Sequence, residues 1–270
     1  MGKKNKNTLT GAEAFEAYYS ELFGERWPGL RCALLGEPCQ CGYSEKLLKT
    51  YYLDTGSVRA ARALPLDGAE KIADFCAAPG GKSLVIASSM PDGATLVSNE
   101  RSRDRKNRLQ KVLDEHLPEN IRQRVSVSGF DASCWCNHER EAYDRILLAA
   151  PCSSERHVMA DPKYLALWTP ARIRNLAVTQ WSLLSSAFLV LKKGGFMVYS
   201  TCALAYAEND GVIKQLLKKY PEASVVALPE ADSSGLCNGE KTEYGIHVLP
   251  DNQGGAGPLY FSLVHKVSKD

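Results

Sequence analysis

The sequence predicts an α/β fold in which a mostly parallel sheet carries helices on both faces. From Ala69 onward, apolar strand-like segments alternate with helix-like segments, the pattern of parallel strands joined by crossover helices. Three of the strand-like segments end in short motifs of the kind that build sites at the carboxyl edge of such a sheet. A chain of 270 residues is long enough for one domain of this type with a substantial core and a small addition.

Residues 1–68 are predicted to form a small helical N-terminal appendage. Apolar residues recur at helical spacing from Thr10 to Arg31, which predicts an amphipathic helix. The segment Gly36 to Gly42 is rich in Pro, Gly and Cys and predicts a loop, and Leu47 to Leu64 predicts further helix. The basic, polar start of the chain lacks the apolar core of a secretory signal.

Residues 69–270 are predicted to form the domain that contains the sheet. Its strands are expected at Lys71–Ala77, Thr95–Asn99, Arg124–Gly129, Tyr143–Ala150, Phe196–Thr201 and Leu259–Val267. These segments are short, apolar and bounded by turn-forming residues. A long helix is expected from Pro170 to Leu191, and the following Gly194-Gly195 pair is expected to terminate it.

Composition excludes few functions. The formal net charge of +2 does not by itself indicate a nucleic-acid-binding protein. A basic cluster between Arg101 and Lys111 is explained most simply as a solvated helix face, with an RNA-binding face as the alternative. No apolar run of about 18 residues occurs, so we expect no membrane-spanning helix.

The nine cysteines are expected to be free thiols, as is usual in a cytosolic enzyme. Two C-x-C pairs, Cys39–Cys41 and Cys134–Cys136, lack a second pair of Cys or His residues at the spacing of a zinc site. We therefore expect no metal.

Three motifs at predicted strand ends carry most of the functional information. Cys76–Lys82 (CAAPGGK) contains a Pro-Gly-Gly turn that lets backbone approach a ligand closely. Pro151–Ser154 (PCSS) and Ser200–Cys202 (STC) each deliver a cysteine to the end of a strand. Two thiols at one sheet edge suggest covalent chemistry on a bound ligand.

These motifs, in this order, resemble those of the Sun-type (Fmu-type) RNA cytosine-5 methyltransferases. The resemblance runs from about Lys49 to the C-terminus and includes Ala207–Asp210 (AEND) beyond the second cysteine. Ser153–His157 (SSERH) is most similar to the mitochondrial ribosomal branch and its short relatives. The resemblance implies a Rossmann-like class I methyltransferase domain with a seven-stranded sheet.

The resemblance also implies a site for S-adenosylmethionine. The contacts carried over from the family loop are Cys76, Ala77, Pro79, Gly80, Gly81 and Lys82. Glu100 would accept hydrogen bonds from the ribose hydroxyls, and Asp131 would face the adenine amino group. The competing explanations are a solvated acid at a helix N-terminus for Glu100 and an N-cap for Asp131.

The chemistry implied by the resemblance is nucleophilic catalysis. Cytosine C5 accepts a methyl group only after a thiolate has added at C6. Cys202 would attack, Cys152 would assist product release and Lys82 would contact the base. A buried structural cysteine is the alternative for either thiol. Arg156 is expected either to bind an RNA phosphate or to form a surface ion pair.

One position departs from the family pattern. Ala149 stands three residues before Cys152, where the family normally has an aspartate that supports protonation of the base. Loss of a general acid costs roughly a hundredfold or more in rate, and Glu155 is the candidate substitute. Two hypotheses follow: a methyltransferase with ribosomal RNA as the leading substrate and transfer RNA next, or a catalytically impaired ribosome-assembly factor that keeps the fold.

The expected partner is RNA, together with a ribosomal subunit or an assembly partner. RNA as the partner follows from the resemblance. The additional ribosomal or assembly partner is expected because the appendage is small and the net charge is near neutral, which leaves RNA specificity to be supplied from elsewhere. We further expect a monomer in the cytoplasm, or in mitochondria if the source is eukaryotic.

Overall fold

The computed structural model describes residues 10–231 and 237–268, so the basic residues 1–9 lie outside the described part. The helices are α1 Gly11–Phe23, α2 Trp27–Leu35, α3 Thr55–Arg62, α4 Gly81–Ser89, α5 Arg103–His116, α6 Glu119–Arg122, α7 Glu155–Ala160, α8 Pro162–Ala166, α9 Pro170–Val190 and α10 Asp210–Lys219. The strands are β1 Gln40–Tyr43, β2 Tyr51–Asp54, β3 Lys71–Phe75, β4 Thr95–Asn99, β5 Val125–Ser128, β6 Tyr143–Ala149, β7 Leu191–Thr201, β8 Ala223–Val226, β9 Glu240–Lys241, β10 Ile246–Val248 and β11 Leu259–Lys266.

The central sheet confirms the predicted fold class. Strands β5, β4, β3, β6 and β7 are parallel neighbours in that order, and β11 runs antiparallel beside β7. Strand β8 pairs with one end of β11 and completes seven strands, while β10 pairs with the other end and carries β9. The described sheet therefore has nine strands, because β9 and β10 extend the edge beyond the predicted seven.

The end of α9 and the start of β7 differ from the prediction. α9 ends at Val190 because the backbone becomes extended at Leu191, and β7 begins there, upstream of Gly194-Gly195. The β6–β7 pairing jumps from Leu191 to Phe196, so the glycine pair forms a bulge within the strand rather than a helix stop. Gly194 has a φ of 76°, which a glycine adopts without strain.

The predicted single helix from Thr10 to Arg31 is two helices. α1 ends at Phe23, and Gly24, with a φ of 54°, starts a short 3-10 turn before α2. Pro28 lies in the first turn of α2, where its missing N–H costs nothing. The apolar spacing continues across the break, which is why periodicity alone did not reveal it.

The prediction for residues 36–64 is wrong in part. The expected loop contains β1, and the first half of the expected helix contains β2, which pairs with β1 in an antiparallel hairpin. Only α3 is helical, and Asp54 caps it by accepting a hydrogen bond from the Ser57 N–H over 3.2 Å. The Tyr51–Leu53 tract (YYL) has the aromatic composition of a strand, and strand pairing outweighed the helical spacing.

The N-terminal helices pack on the sheet domain through one buried aromatic cluster. Phe15 and Tyr19 of α1 lie against Trp168, with ring centroids 5.3 and 5.9 Å apart. The same cluster contains Val158 of α7 and Leu204, which follows β7. Burial of each such side chain contributes about 1.5–3 kcal/mol. The division of the chain at residue 68 stays a prediction, and α1 and α2 support the loops that follow β6 and β7.

Among the described helices, none combines the length and the apolar character that a membrane crossing requires.

Candidate active site

Cys152 and Cys202 meet at the carboxyl edge of the sheet. Strands β6 and β7 are parallel neighbours, and the two cysteines follow them. Their Sγ atoms are 2.8 Å apart and both thiols are free. The Cys202 N–H also donates to the Cys152 Sγ over 3.2 Å. The two sulfur atoms can therefore act on one bound group.

Ser154 is a third member of this cluster that the sequence analysis did not single out. Its φ of 54° is left-handed, which is uncommon for a residue other than glycine and marks a constrained loop. This conformation brings the Ser154 Oγ to 3.1 Å from the Cys202 Sγ and 3.5 Å from the Cys152 Sγ. Ser154 is thus placed to donate a hydrogen bond to a thiolate.

Hydrogen bonding distinguishes the two thiols. The contact from Cys152 and, less strongly, that from Ser154 lower the pKa of Cys202 against the opposing effect of burial. The contact with Cys202, together with burial, raises the pKa of Cys152 well above its ordinary value. Because the thiolate is the nucleophilic form, Cys202 is the better nucleophile and Cys152 the better proton holder.

A cavity of about 930 Å³ opens beside the thiols. Cys152 and Cys202 line one end, and Glu100, Phe130 and Asp131 line the other. Pockets for small ligands usually measure about 300–1,000 Å³, so a nucleoside-sized molecule fits this space.

Glu100 lines this cavity, and one of its carboxylate oxygens has no hydrogen-bond partner among the described residues. The residue is 4% exposed, and its Oε1 accepts a hydrogen bond from the Ser102 N–H over 3.0 Å. Its Oε2 is buried without a hydrogen-bond partner among the described residues, and the nearest cation is Arg105, 3.4 Å away. A buried acceptor without a partner is costly, so this oxygen is suited to bind a ligand hydroxyl.

Asp131 is an N-cap, which the sequence analysis gave as the alternative to a role in binding adenine. Its Oδ1 accepts hydrogen bonds from the Ser133 N–H and Oγ over 3.0 and 2.7 Å, and its Oδ2 pairs with Arg101 over 2.9 Å. The Ser133 contacts, helped by Arg101, lower the pKa of Asp131. The residue also lines the cavity beside the Phe130 ring, an exposed aromatic side chain that the sequence analysis missed.

The predicted cofactor loop divides between two cavities. Cys76 and Lys82 line the large cavity and also a neighbouring one of about 110 Å³. Ala77, Pro79 and Gly81 line only the smaller one. Lys82 has no hydrogen-bond or ion-pair partner among the described residues, so its ammonium group is available to a ligand.

Gly80 lines neither cavity. Its φ of 119° strongly favours glycine, and a Cβ at this position would lie 3.1 Å from side-chain atoms of both Leu109 and Val112. The glycine is therefore required by the backbone turn and by the close approach of α5.

Ala149 ends β6 and lines both cavities, but Glu155 does not replace the missing acid. Glu155 is fully buried and accepts hydrogen bonds from the Tyr19 hydroxyl and, over 3.1 Å, from the Leu204 N–H. These partners hold it behind the thiol loop, away from the cavity that Ala149 lines. The expectation that Glu155 acts as the substitute acid is wrong for this reason.

Arg156 has a structural role within the fold, which corrects the two roles predicted for it, phosphate binding and a surface ion pair. Its guanidinium donates to four backbone carbonyls, those of Leu34, Gly36, Gly255 and Gly257, over 2.9–3.2 Å. Four of its five N–H groups are thus used within the protein. No ion pair involves it among the described residues, and it lacks the free fork that phosphate binding needs.

The basic cluster that follows β4 is neither a purely solvated face nor a free RNA-binding face. Arg101 and Arg105 line the large cavity and pair with the two site acids, Asp131 and Glu100. The remaining basic residues, Arg103, Lys106, Arg108 and Lys111, lie on α5.

Within residues 10–231 and 237–268, no group of three or more His, Cys, Asp or Glu side chains is arranged to hold a metal ion.

The sequence of this chain matches a known family and several characterised relatives. A sequence model of the family described as 16S rRNA methyltransferase RsmB/F matches residues 61–264. The 5-cytosine rRNA methyltransferase NSUN4 of Mus musculus is 30% identical over 261 residues, which cover 89% of this chain and 68% of that protein. The mitochondrial tRNA (cytosine(34)-C(5))-methyltransferase of Danio rerio is 32% identical, covering 85% and 64%.

A third relative is the ribosomal RNA small subunit methyltransferase F of Shigella dysenteriae, which is 37% identical over 211 residues. These cover 77% of this chain and 43% of that protein. The chain therefore spans between about two fifths and two thirds of the length of these relatives.

Two solved structures resemble the whole fold. A methyltransferase homolog protein from Pyrococcus horikoshii has a TM-score of 0.72 at 20% identity and covers 94% of each chain. NSun6 from the same organism, solved with SFG, has a TM-score of 0.64 at 22% identity and covers 84% of this chain and 55% of its own. At these identities the likeness establishes the methyltransferase fold.

Proposed function

Because the chain belongs to the family of 16S rRNA methyltransferases RsmB/F, we propose that it methylates cytosine C5 in ribosomal RNA through a Cys202–C6 adduct. The membership confirms the resemblance found in the motifs and the enzyme class, an S-adenosylmethionine-dependent RNA cytosine-5 methyltransferase. Two relatives named as ribosomal RNA methyltransferases support the substrate class. The observation that carries the mechanism is the thiol pair, in which Cys202 is the lower-pKa member.

We assign S-adenosylmethionine to the 930 Å³ cavity, where it would supply an electrophilic methyl group. The Glu100 Oε2, which has no hydrogen-bond partner among the described residues, fits a ribose hydroxyl. The Phe130 ring and Asp131 would flank the adenine at the far end, and Cys76 and Lys82 would lie toward the amino-acid end. A structural relative solved with SFG, an analogue of S-adenosylmethionine, supports this choice of cofactor.

The target cytosine would reach Cys202 through a second opening of about 420 Å³. Its lining includes Ser154, His157, Pro258 and Leu259, which present largely apolar surface suited to a base that has left its stack. His157, Cys202 and Leu259 line the large cavity as well, so the two spaces adjoin at Cys202. A base held there would lie between the thiol and the cofactor cavity.

The residues then have separate roles. The Cys202 thiolate, held by donors from Cys152 and Ser154, adds to C6 of the base. Lys82, which lines the same cavity and has no ion-pair partner within the described part of the chain, contacts the base. After methyl transfer, loss of the C5 proton and cleavage of the Cys202–C6 bond release the methylated base, and Cys152, whose sulfur lies 2.8 Å from that of Cys202, assists this departure.

Transfer RNA is the second candidate substrate, because the Danio rerio relative is named as a transfer RNA enzyme. A catalytically impaired assembly factor is the remaining alternative, and Ala149 is the observation that favours it. A ribosomal particle as partner and a cytoplasmic or mitochondrial location stay predictions.

A covalent trap tests the proposal. Cys152→Ala, expressed in cells, is expected to accumulate a denaturation-resistant protein–RNA adduct whose RNA can be sequenced. The matched control is the double variant with Cys202→Ala, in which the adduct must vanish. An adduct that persists in the double variant would place the nucleophile elsewhere. No adduct, with S-adenosylmethionine binding intact, would favour the assembly factor.

A further inference from the structure

A buried pair of carboxyl groups lies behind the thiol loop and has no part in the proposed reaction. Glu155 begins α7, and Glu208 belongs to the AEND motif. Both are fully buried, and no ion pair involves either one among the described residues. Ser153, the residue between Cys152 and Ser154, lies between the two carboxyl groups.

Glu155 is surrounded by donors. Its Oε1 accepts hydrogen bonds from the hydroxyls of Tyr19 and Ser153, and its Oε2 accepts one from the Leu204 N–H over 3.1 Å. Both oxygens therefore have a hydrogen-bond donor, the environment that favours an ionised carboxylate.

The two oxygens of Glu208 differ. The Oε1 accepts hydrogen bonds from the Ser153 N–H over 2.9 Å and from the Gln180 Nε2 over 2.8 Å. The Oε2 contacts only the Ser153 hydroxyl oxygen. A hydroxyl has one proton, so Ser153 cannot donate to both Glu155 and Glu208.

We infer that Glu208 is protonated and donates through its Oε2 to the Ser153 Oγ, which in turn donates to an ionised Glu155. Every polar atom of the three side chains then has a partner of the right kind. In the reverse arrangement Glu155 would carry the proton and Ser153 would donate to an ionised Glu208. The proton would then lie on the Glu155 Oε1, which already receives the Tyr19 hydroxyl proton, and a carboxyl O–H oxygen is a poorer acceptor than a carboxylate oxygen.

Electrostatics agree with this assignment. Burial and, next in size, the neighbouring Glu155 raise the pKa of Glu208 to about 7. Burial also raises the pKa of Glu155, but hydrogen bonds from Ser153, Tyr19 and backbone oppose that shift. The other titratable and charged groups around the pair are Tyr18, Tyr19, Cys152, Arg174, Tyr199 and Cys202.

The shared proton makes Glu208 a positioning residue for the thiol pair. Ser153 is held by its N–H and its hydroxyl, and its chain neighbours Cys152 and Ser154 are the side chains that contact the Cys202 sulfur. The role of Glu208 in catalysis rests on the proposed function of Cys202, whereas the assignment of the proton to Glu208 is independent of that function.

Two Glu→Gln variants test which of the two carboxyl groups carries the proton. Glu208→Gln keeps an acceptor for the Ser153 N–H and a donor for its Oγ, so we expect Cys202 alkylation by iodoacetamide, followed by peptide mass spectrometry, to stay within about twofold of the native protein. Glu155→Gln places an amide nitrogen against a donor, so we expect at least about a tenfold change in that rate or loss of the fold. The reverse ranking, or failure of Glu208→Gln to fold, would overturn the inference.

The pH dependence of stability provides a second readout. A glutamate with a folded pKa of about 7 binds its proton more tightly than in the unfolded chain, where the pKa is about 4.3. The protonated glutamate therefore stabilises the fold fully below about pH 4.3, and this stabilisation is lost as the pH rises through 7. Between these two pH values the unfolding equilibrium constant rises by up to about tenfold per pH unit.

We expect Glu208→Gln to remove this pH dependence of the free energy of unfolding, measured in urea between pH 5 and 7. The exposed-site control Glu13→Gln should keep it. An unchanged pH dependence in Glu208→Gln would overturn the inference. Neither alkylation nor unfolding needs RNA or S-adenosylmethionine. If both behave as expected while methyl transfer is absent, the proposed function fails and the shared proton stands.

Discussion

Two cysteines of the same chemical type have different surroundings in this site. Cys202 receives hydrogen bonds from Cys152 and Ser154, which lowers its pKa, whereas the pKa of Cys152 rises. The difference depends on contacts of about 3 Å between residues that are 48 and 50 positions apart in the chain. At the residue scale, the roles of nucleophile and proton holder follow from these contacts.

Ala149 is the residue whose replacement should raise activity. Ala149→Asp places an acid in the cavity beside Lys82, and we expect kcat on RNA to rise by about tenfold or more because a general acid contributes at least that much. Ala149→Asn is the matched control, since it has the same shape but cannot donate a carboxyl proton. A fall in kcat for Ala149→Asp would mean that the site is built around alanine.

Glu100 should determine cofactor affinity. In Glu100→Gln the Oε1 can still accept from Ser102, but an amide N–H replaces the oxygen available to a ribose hydroxyl. We expect the Kd for S-adenosylmethionine, measured by calorimetry, to rise by about tenfold. The nearby exposed-site control Asp104→Asn should leave the Kd unchanged. An unchanged Kd in Glu100→Gln would move the ribose away from this carboxylate.

At the element scale, the loops of the site are held by segments from distant parts of the chain. Arg156, near the start of α7, ties the C-terminal end of α2 to the loop before β11. α1 supplies Tyr19 to the carboxylate of Glu155, at the first position of α7. The N-terminal helices therefore support the thiol loop directly.

Arg156→Ala should destabilise the fold rather than weaken RNA binding directly. Removing four charge-assisted hydrogen bonds to backbone carbonyls should lower the free energy of unfolding by about 2–4 kcal/mol in urea. Arg156→Lys should not restore it, because an ammonium cannot reproduce the planar fork. The exposed-site control Arg172→Ala should change stability by less than about 0.5 kcal/mol. Lower RNA affinity at unchanged stability would contradict this role.

Most strands of the parallel part of the sheet were the easiest elements to predict. β4 has the predicted first and last residues, and β3, β5 and β6 differ from their predictions by one or two residues at their ends. The errors fall on β1 and β2, where a short hairpin was taken for a loop and a helix, and on the start of β7. Short, partly exposed strands gain most of their stability from pairing, which local composition reports poorly.

At the scale of the whole molecule, the site draws on nearly every part of the chain. The large cavity takes residues from the ends of β3, β4, β5, β6 and β7, and the second opening adds Pro38 and the loop before β11. The family match, in contrast, covers residues 61–264 and omits the N-terminal helices. The fold joins the two through the buried aromatic cluster.

The sequence by itself determined the fold class, the enzyme class and the motifs at the strand ends. Parallel strands carry whatever follows them to one edge, so the local order of strands and motifs was enough to bring Cys152 and Cys202 together. Only the tertiary structure decided which thiol has the lower pKa, that Glu155 faces away from the cavity, that Arg156 has a structural role and that Glu208 shares a proton. Each of these depends on donors and acceptors contributed by residues far apart in the chain, and such contacts leave no local pattern.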